Sequence, residues 1–281
     1  EGNGYYLEKQ QVGLKSILLE NTETLVEFAK KPQKVNNPES KPNNWVINIA
    51  KTQVKNNSIR YDDFNSIAQT KGFDASHLDL KKLDLTLNNF IFSPKLISGQ
   101  LNKATFSERS GLVVQNISSD FSYTDKQISL KKLLLKTPNT LLQDEVLMQY
   151  NSVDDFTKNL GKVKLKLNLK KSQLAVKDLF ILVPDLAKNA SFKGRENDII
   201  KADGVVSGTV DNLSVPKLSV DGFGETHLQV SGRILGLPNT DKLGLDLNIG
   251  ELSMSKKDIL QMAGDSAIPK SIELPEFIKV K

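Results

Sequence analysis

Residues 162–170 read Lys-Val-Lys-Leu-Lys-Leu-Asn-Leu-Lys, an unbroken alternation of apolar and polar side chains. In an extended chain Val163, Leu165, Leu167 and Leu169 point to one side, and Lys162, Lys164, Lys166, Asn168 and Lys170 to the other. A repeat of two is the side-chain period of a β-strand, not of a helix. It returns at Leu83, Leu85 and Leu87, at Leu228, Val230 and Ile234 with Gly232 between them, and at Leu243, Leu245, Leu247 and Ile249. Strands of this kind build a sheet with one apolar and one polar face. The functional question is what covers the apolar face.

The expected strands are about 6–12 residues long, a little above the usual length. Turn signals separate them, such as Asn56-Asn57-Ser58, Asn88-Asn89, Thr124-Asp125 and Asp221-Gly222. Many strands at regular spacing with such punctuation predict an all-β fold. Short apolar patches at 13–19 and 24–29 read as two further strands, and Trp45 opens a new one. Between them, residues 32–44 hold three prolines and four asparagines, which sustain neither a ladder nor a helix, so a mobile insertion is expected. The division is therefore residues 1–44, N-terminal strands and loop, and residues 45–281, the main β domain.

Helical spacing is scarce. Residues 152–159 predict a short helix capped by Ser152 with acids in its first turn, and residues 256–263 another, each about two turns. A loose internal echo joins residues 174–184 to 252–262: both run from a strand into Lys-Asp-Leu or Lys-Asp-Ile and then an apolar stretch. Pro-Asn-Thr also recurs, at 138–140 and 238–240.

Composition narrows the function. The 281 residues are enough for one large β domain or two smaller ones. The chain begins with Glu1, from which we expect an excised piece of a longer protein. Its longest purely apolar run, residues 179–183, is far short of the roughly 20 residues that span a bilayer, and no signal peptide is read. Without cysteine there is no disulfide, thiolate metal site or cysteine nucleophile. The net charge of +5 comes from 38 Lys and Arg against 33 Asp and Glu, a mixed surface. Arginine appears only at 60, 109, 195 and 233, unlike nucleic-acid readers, so no nucleic-acid partner is expected. The lysine excess fits weak attraction to anionic headgroups.

Catalytic constellations are not found. His77 and His227 stand in the polar register of strands and read as solvent-facing; two isolated histidines without cysteine make no zinc site. Asp62-Asp63 reads as turn-forming and Asp154-Asp155 as a helix first turn. No Asp-x-Asp-x-Asp-Gly loop, Gly-x-Ser-x-Gly elbow, Walker A loop or dinucleotide fingerprint is present, and Gly222, Gly224, Gly204 and Gly208 read as turn and strand glycines. The expectation is a non-enzymatic protein without cofactor or metal.

The apolar rows are rich in Leu, Ile and Val and poor in aromatics. Two such faces packed together make a closed sandwich. A sheet that curls without closing leaves an aliphatic trough that suits acyl chains, at about 0.8 kcal/mol per buried methylene. The candidate lining is Val163, Leu165, Leu167 and Leu169, then Leu228, Val230 and Ile234, then Leu243, Leu245, Leu247 and Ile249.

Residues 45–63, Ser110-Gly-Leu-Val-Val, Ile128-Ser-Leu-Lys-Lys-Leu-Leu-Leu-Lys-Thr-Pro-Asn-Thr140, residues 172–184 and Val230-Ser-Gly-Arg-Ile-Leu-Gly-Leu-Pro-Asn239 together resemble a module of the AsmA-like/TamB proteins of Bacteroidota. The resemblance covers roughly residues 45–281 and is one of strand, turn and small residues. It implies an elongated, curled sheet with a hydrophobic groove, a β-taco. It implies an internal segment of a periplasmic protein held by an inner-membrane anchor outside this fragment. The implied activity is phospholipid transport between inner and outer membranes in support of outer-membrane biogenesis. The implied partners are acyl chains and, through parts outside this fragment, a TamA-like outer-membrane barrel. The alternative is a scaffold that templates client strands by β-augmentation. Lysine-rich strands tend to block such pairing, which ranks it second. A carbohydrate-binding or adhesin-type β protein predicts aromatic platforms, and one Trp and five Tyr do not supply them.

Overall fold

A computed structural model describes residues 2–6, 10–30, 44–188, 192–239, 242–263 and 271–281. Nearly all of the segment expected to be mobile lies outside the described residues, as does Thr240 of the second Pro-Asn-Thr. The chain is all-β with a few short helices, as the alternation predicts. It divides into two compact units, Glu1–Asp125 with Leu135–Pro138, and Lys126–Leu134 with Asn139–Lys281.

The first unit contains β1 (Gly2–Tyr6), β2 (Gln11–Glu20), β3 (Glu23–Phe28), β4 (Val46–Asp63), β5 (His77–Phe92), β6 (Ile97–Glu108) and β7 (Val113–Tyr123). Their hydrogen-bonded order is β1-β2-β4-β5-β6-β7. From β4 to β7 each strand runs antiparallel to the one before. β2 and β3 run parallel to β4 and share one side of it, β2 along 46–55 and β3 along 58–63. The break between them is bridged by Asn57, which is almost wholly buried. Its Oδ1 accepts from the Thr22 N–H at 2.8 Å and from the Thr22 hydroxyl, and its Nδ2 donates to the carbonyls of Leu19 (3.0 Å) and Lys55 (2.9 Å).

The second unit contains most of β8 (Gln127–Lys136), then β9 (Leu141–Gln149), β10 (Lys164–Ala175), β11 (Ile199–Thr209), β12 (Asn212–Asp221), β13 (His227–Leu235), β14 (Gly244–Ser255) and β15 (Phe277–Val280). They follow one another in chain order, antiparallel from β9 to β15. Among the described residues three short α-helices interrupt the meander, α1 (Asp155–Lys158), α2 (Val176–Leu182) and α3 (Lys256–Ala263), with single 3-10 turns at Leu160–Lys162 and Pro184–Lys188.

Several strands exceed the expected length because two apparent turns are not turns. Asn56 and Asn57 lie inside the 18-residue β4, and Asn88 and Asn89 inside the 16-residue β5. Asn56 (φ 50°) and Asn89 (φ 52°) are left-handed, and the pairing register shifts beside both. They are β-bulges, one extra residue on one strand. The device recurs at apolar–polar–polar–apolar steps. Leu80-Lys-Lys-Leu83 and, with a buried serine in the last place, Leu169-Lys-Lys-Ser172 carry a left-handed second lysine, Lys82 (φ 53°) and Lys171 (φ 46°), each beside a register shift. Lys132 (φ 53°) takes the same conformation in Leu130-Lys-Lys-Leu133. Register also shifts at Leu101-Asn-Lys-Ala104 and Val215-Pro-Lys-Leu218, and on β14 between Ile249 and Glu251, within Ile249-Gly-Glu-Leu252. Each step inverts the alternation, and the bulge restores it, so the apolar row stays on one face.

The helices correct the reading in detail. Ser152 does not cap α1; its N–H and that of Asn151 donate to the Asp155 carboxylate. The echo at 174–184 and 252–262 is structural. β10 passes into α2 and β14 into α3, and the aspartate of each Lys-Asp pair is buried. Asp178 accepts from the Thr140 hydroxyl at 2.6 Å. Asp258 accepts from Arg195 (2.8 Å), the Ser255 hydroxyl (2.8 Å) and the Glu225 N–H (3.0 Å).

Candidate functional site

In the second unit the pairing register carries apolar rows straight across the strands. Met148, Leu165, Gly208, Leu213, Ile234 and Leu245 are successive cross-strand partners from β9 to β14. Leu169, Gly204, Leu218, Val230 and Ile249 form a second row from β10 to β14. Val215, Gly232 and Leu247 form a third, with Val146, Leu167 and Val206 on β9 to β11. Ala202, Val220, Leu228, Leu252 and Val280 form a fourth. Directly opposed residues of an antiparallel pair share a face, so nine of the eleven candidates (all but Val163 and Leu243) lie in these rows on one face. The intervening register is polar, as in Lys166, Ser207, Ser214, Arg233 and Asp246.

Exposure along this face is graded. Val163 precedes β10 and is sealed at 1 % exposure, and Val230 is buried too. In the first row Leu213 is 6 % exposed, Ile234 half-buried and Leu245 61 % exposed. Leu165, Leu167, Leu169, Leu228 and Leu247 are half-buried. Leu243, just before β14, and Ile249 on it are exposed. The face is thus core around β12 and open at β14. Gly232 adds a recess: its φ of 136° belongs to glycine, and a Cβ there would run into the backbone of Asp246 and Leu247.

Among the described residues, β14 is paired on its outer side only at 252–255, by β15. Its stretch from Gly244 to Glu251 offers unpaired backbone beside the exposed side chains. A cavity of about 280 Å³ at Leu147, Gln149, Lys164, Lys166 and Thr209 belongs to the opposite, polar register of β9 to β11 and is not part of the apolar rows.

The first unit has equivalent rows, of which the sequence reading singled out only Leu83, Leu85 and Leu87. Val12, Ile47, Phe92, Ile97 and Tyr123 are successive partners, as are Leu19, Val54, Leu85, Ala104 and Ile117. The apolar–polar–polar–apolar steps were the signal that would have linked them. This face carries aromatic rings, Phe90, Phe92, Phe121 and Tyr123 among them. Gly99 makes room here: a Cβ on it would stand 2.9 Å from Leu87 and 3.2 Å from Phe121.

The charged clusters are paired internally, except that the buried Arg195 Nε has no hydrogen-bond partner. His77 is buried, contrary to its solvent-facing reading, with Nδ1 3.1 Å from Asp74 and Arg109 3.7 Å from the same carboxylate. Burial alone pushes the Asp74 carboxyl up, but the N–H groups of Gln69 and Ser76 and the His77 contact outweigh it and hold it below the ordinary range. Asp258 follows the same logic: burial pushes up, and Arg195, Ser255 and Glu225 outweigh it downward. The Arg195 guanidinium also meets Asp198 at 3.2 Å and lies over the Phe223 ring at 5.9 Å. His227 is partly exposed, between Asp221 (2.6 Å) and Glu251 (3.8 Å). Asp62, at the end of β4, is buried and paired with Arg60 at 2.7 Å. Among the described residues no group of three or more acids and histidines is arranged to hold a metal, and no helix is long and apolar enough to cross a membrane.

Comparison with known proteins finds no relative: no family model, no curated protein and no solved structure matches the chain.

Proposed function

We propose that this chain is a non-enzymatic lipid-binding segment, holding acyl chains along the apolar face of its second unit. One observation carries the reading. Rows of aliphatic side chains run in register from β9 to β14 and become exposed at β14, where Leu245 is 61 % accessible. An exposed apolar patch of this kind marks an interaction surface. Leu245, Leu247 and Ile249, with Ile234 and Leu228 beside them, are the contact residues; Val163 and Val230 support them from the core. Burying ten methylenes of one acyl chain gains about 8 kcal/mol before the losses of ordering. The resemblance to AsmA-like/TamB proteins supports a wider setting: a periplasmic segment moving phospholipid between membranes, with a barrel partner reached through other parts.

A photo-crosslinking amino acid at Leu245 or Leu165 tests this in cells, and native mass spectrometry tests it on the purified chain. Phospholipid adducts at Leu245, fewer at Leu165, are expected. Absence of lipid at every position of the face refutes the reading. The open edge of β14 favours the second reading, β-augmentation by a client strand. Bound unfolded polypeptide in place of lipid would select it.

A further inference from the structure

We infer that the chain associates head to tail with further copies of itself, β15 of one copy adding to β3 of the next. Among the described residues β3 pairs only with β4, and β15 only with β14, so each keeps one uncovered side. On β3, Thr24 and Val26 stand beside Ile59 and Tyr61, and the Phe28 ring meets the Tyr61 ring at 5.7 Å. Val26 and Phe28 are exposed. Glu23, Leu25 and Glu27 occupy the opposite register. On β15, Ile278 and Val280 are partners of Met254 and Leu252, in the apolar register, while Lys279 is the partner of Ser253 on the polar side. Lys281 follows in the same polar register, 3.9 Å from Glu251.

Charge decides between the possible pairings. β3 against β3 sets glutamates against glutamates, and β15 against β15 sets lysines against lysines; like charges across a strand pair are destabilising. β15 against β3 removes the repulsion. In the antiparallel register with Ile278 opposite Val26, Val280 faces Thr24, Lys281 faces Glu23, and Lys279 faces Leu25 with Glu23 and Glu27 on its two diagonals. Ile278 and Val280 then meet Val26 and Thr24 on one face; on the other Lys281 meets Glu23, Lys279 lies between Glu23 and Glu27 on the diagonals, and Phe277 stands opposite Glu27. The contact is heterologous, so each copy keeps one free edge for the next. Four residues of β15 bury far less than the roughly 1,600 Å² of a standard interface, so association is weak and grows with concentration.

Sedimentation velocity of the full chain over a hundredfold concentration range tests this. The weight-average mass is expected to rise above 31.2 kDa and to fall back when salt screens the charges. Glu23→Lys with Glu27→Lys should hold the chain monomeric at every concentration. Adding Lys279→Glu and Lys281→Glu to that variant should restore association. The chain has no cysteine, so a mixture of Leu25→Cys and Lys279→Cys variants should form mixed disulfide dimers several-fold in excess of either variant alone. A constant monomer mass, association indifferent to charge reversal, failure of the reversed pair to restore it, or no excess of the mixed disulfide would each overturn the inference.

Discussion

Replacing Asn57 by Leu should detach β3 while leaving most of the first unit folded. The side chain is 2 % exposed, and its amide bonds to both sides of the β2–β3 break, to Leu19 and to Thr22. Leucine has nearly the same size, so packing volume changes little. The Thr22 N–H then has no acceptor, and the Leu19 carbonyl loses the Asn57 donor. The Lys55 carbonyl keeps the Asn21 N–H at 3.0 Å. A buried polar group left without a partner costs about 1–3 kcal/mol. One such donor and one weakened acceptor therefore predict a loss of about 2–4 kcal/mol. Urea denaturation measures the loss, and amide exchange locates it: protection should fall along β3 and at residues 58–63 of β4, and persist on β5 and β6. A loss under 1 kcal/mol with β3 protection intact would show that Asn57 is not what joins the two strands to β4.

Arg195→Ala removes one partner of a buried ion pair and should destabilise the second unit by about 3–5 kcal/mol, read as an earlier unfolding transition. The Asp74 and Asp258 carboxyls titrate below their ordinary values. Their stabilisation is complete above the unfolded value near 3.9 and is lost as pH falls from there through the lower folded values. Denaturation midpoints between pH 6 and 2.5 should show this, with a weaker slope in Asp258→Asn. Lys82→Gly should be neutral or stabilising by up to about 1 kcal/mol, because a left-handed L-residue costs about 1–2 kcal/mol and glycine returns 0.5–1 in chain entropy. Lys82→Val should destabilise, and thermal melts of the two decide whether the bulge conformation is imposed. Gly99→Val should cost about 1–3 kcal/mol by overpacking against Leu87 and Phe121, again seen in urea midpoints.

The alternation at 162–170 fixed the apolar face because a period of two survives any detail of tertiary packing. The bulges were equally legible: Leu80-Lys-Lys-Leu83 breaks the alternation by one residue and resumes it, which only an inserted residue explains. Asn-Asn pairs were misread because the left-handed backbone that suits asparagine serves a turn and a bulge alike. α2 was hidden by its composition. Val176-Lys-Asp-Leu-Phe-Ile-Leu182 has a strand's residues, and the helix is held by tertiary contacts, among them the Asp178–Thr140 bond. His77 was misplaced because it folds back onto Asp74, in the loop leading into its own strand, and Arg109, just after β6, closes on the same carboxylate. Sequence alone also ranked the eleven candidates as equals. Their graded exposure depends on which strand ends the sheet, and that is a property of topology.

The bulged steps have a consequence for how such a chain changes over generations. In an ordinary half-buried strand, gaining or losing one residue turns every later side chain to the wrong face. Here several strands absorb an odd residue at such a step, so a single-codon insertion that creates one, or a deletion that removes one, keeps both faces of those strands intact. Strand length can drift one residue at a time while the apolar rows persist. Descent in this fold is then recorded in the spacing of its apolar positions more durably than in their identities.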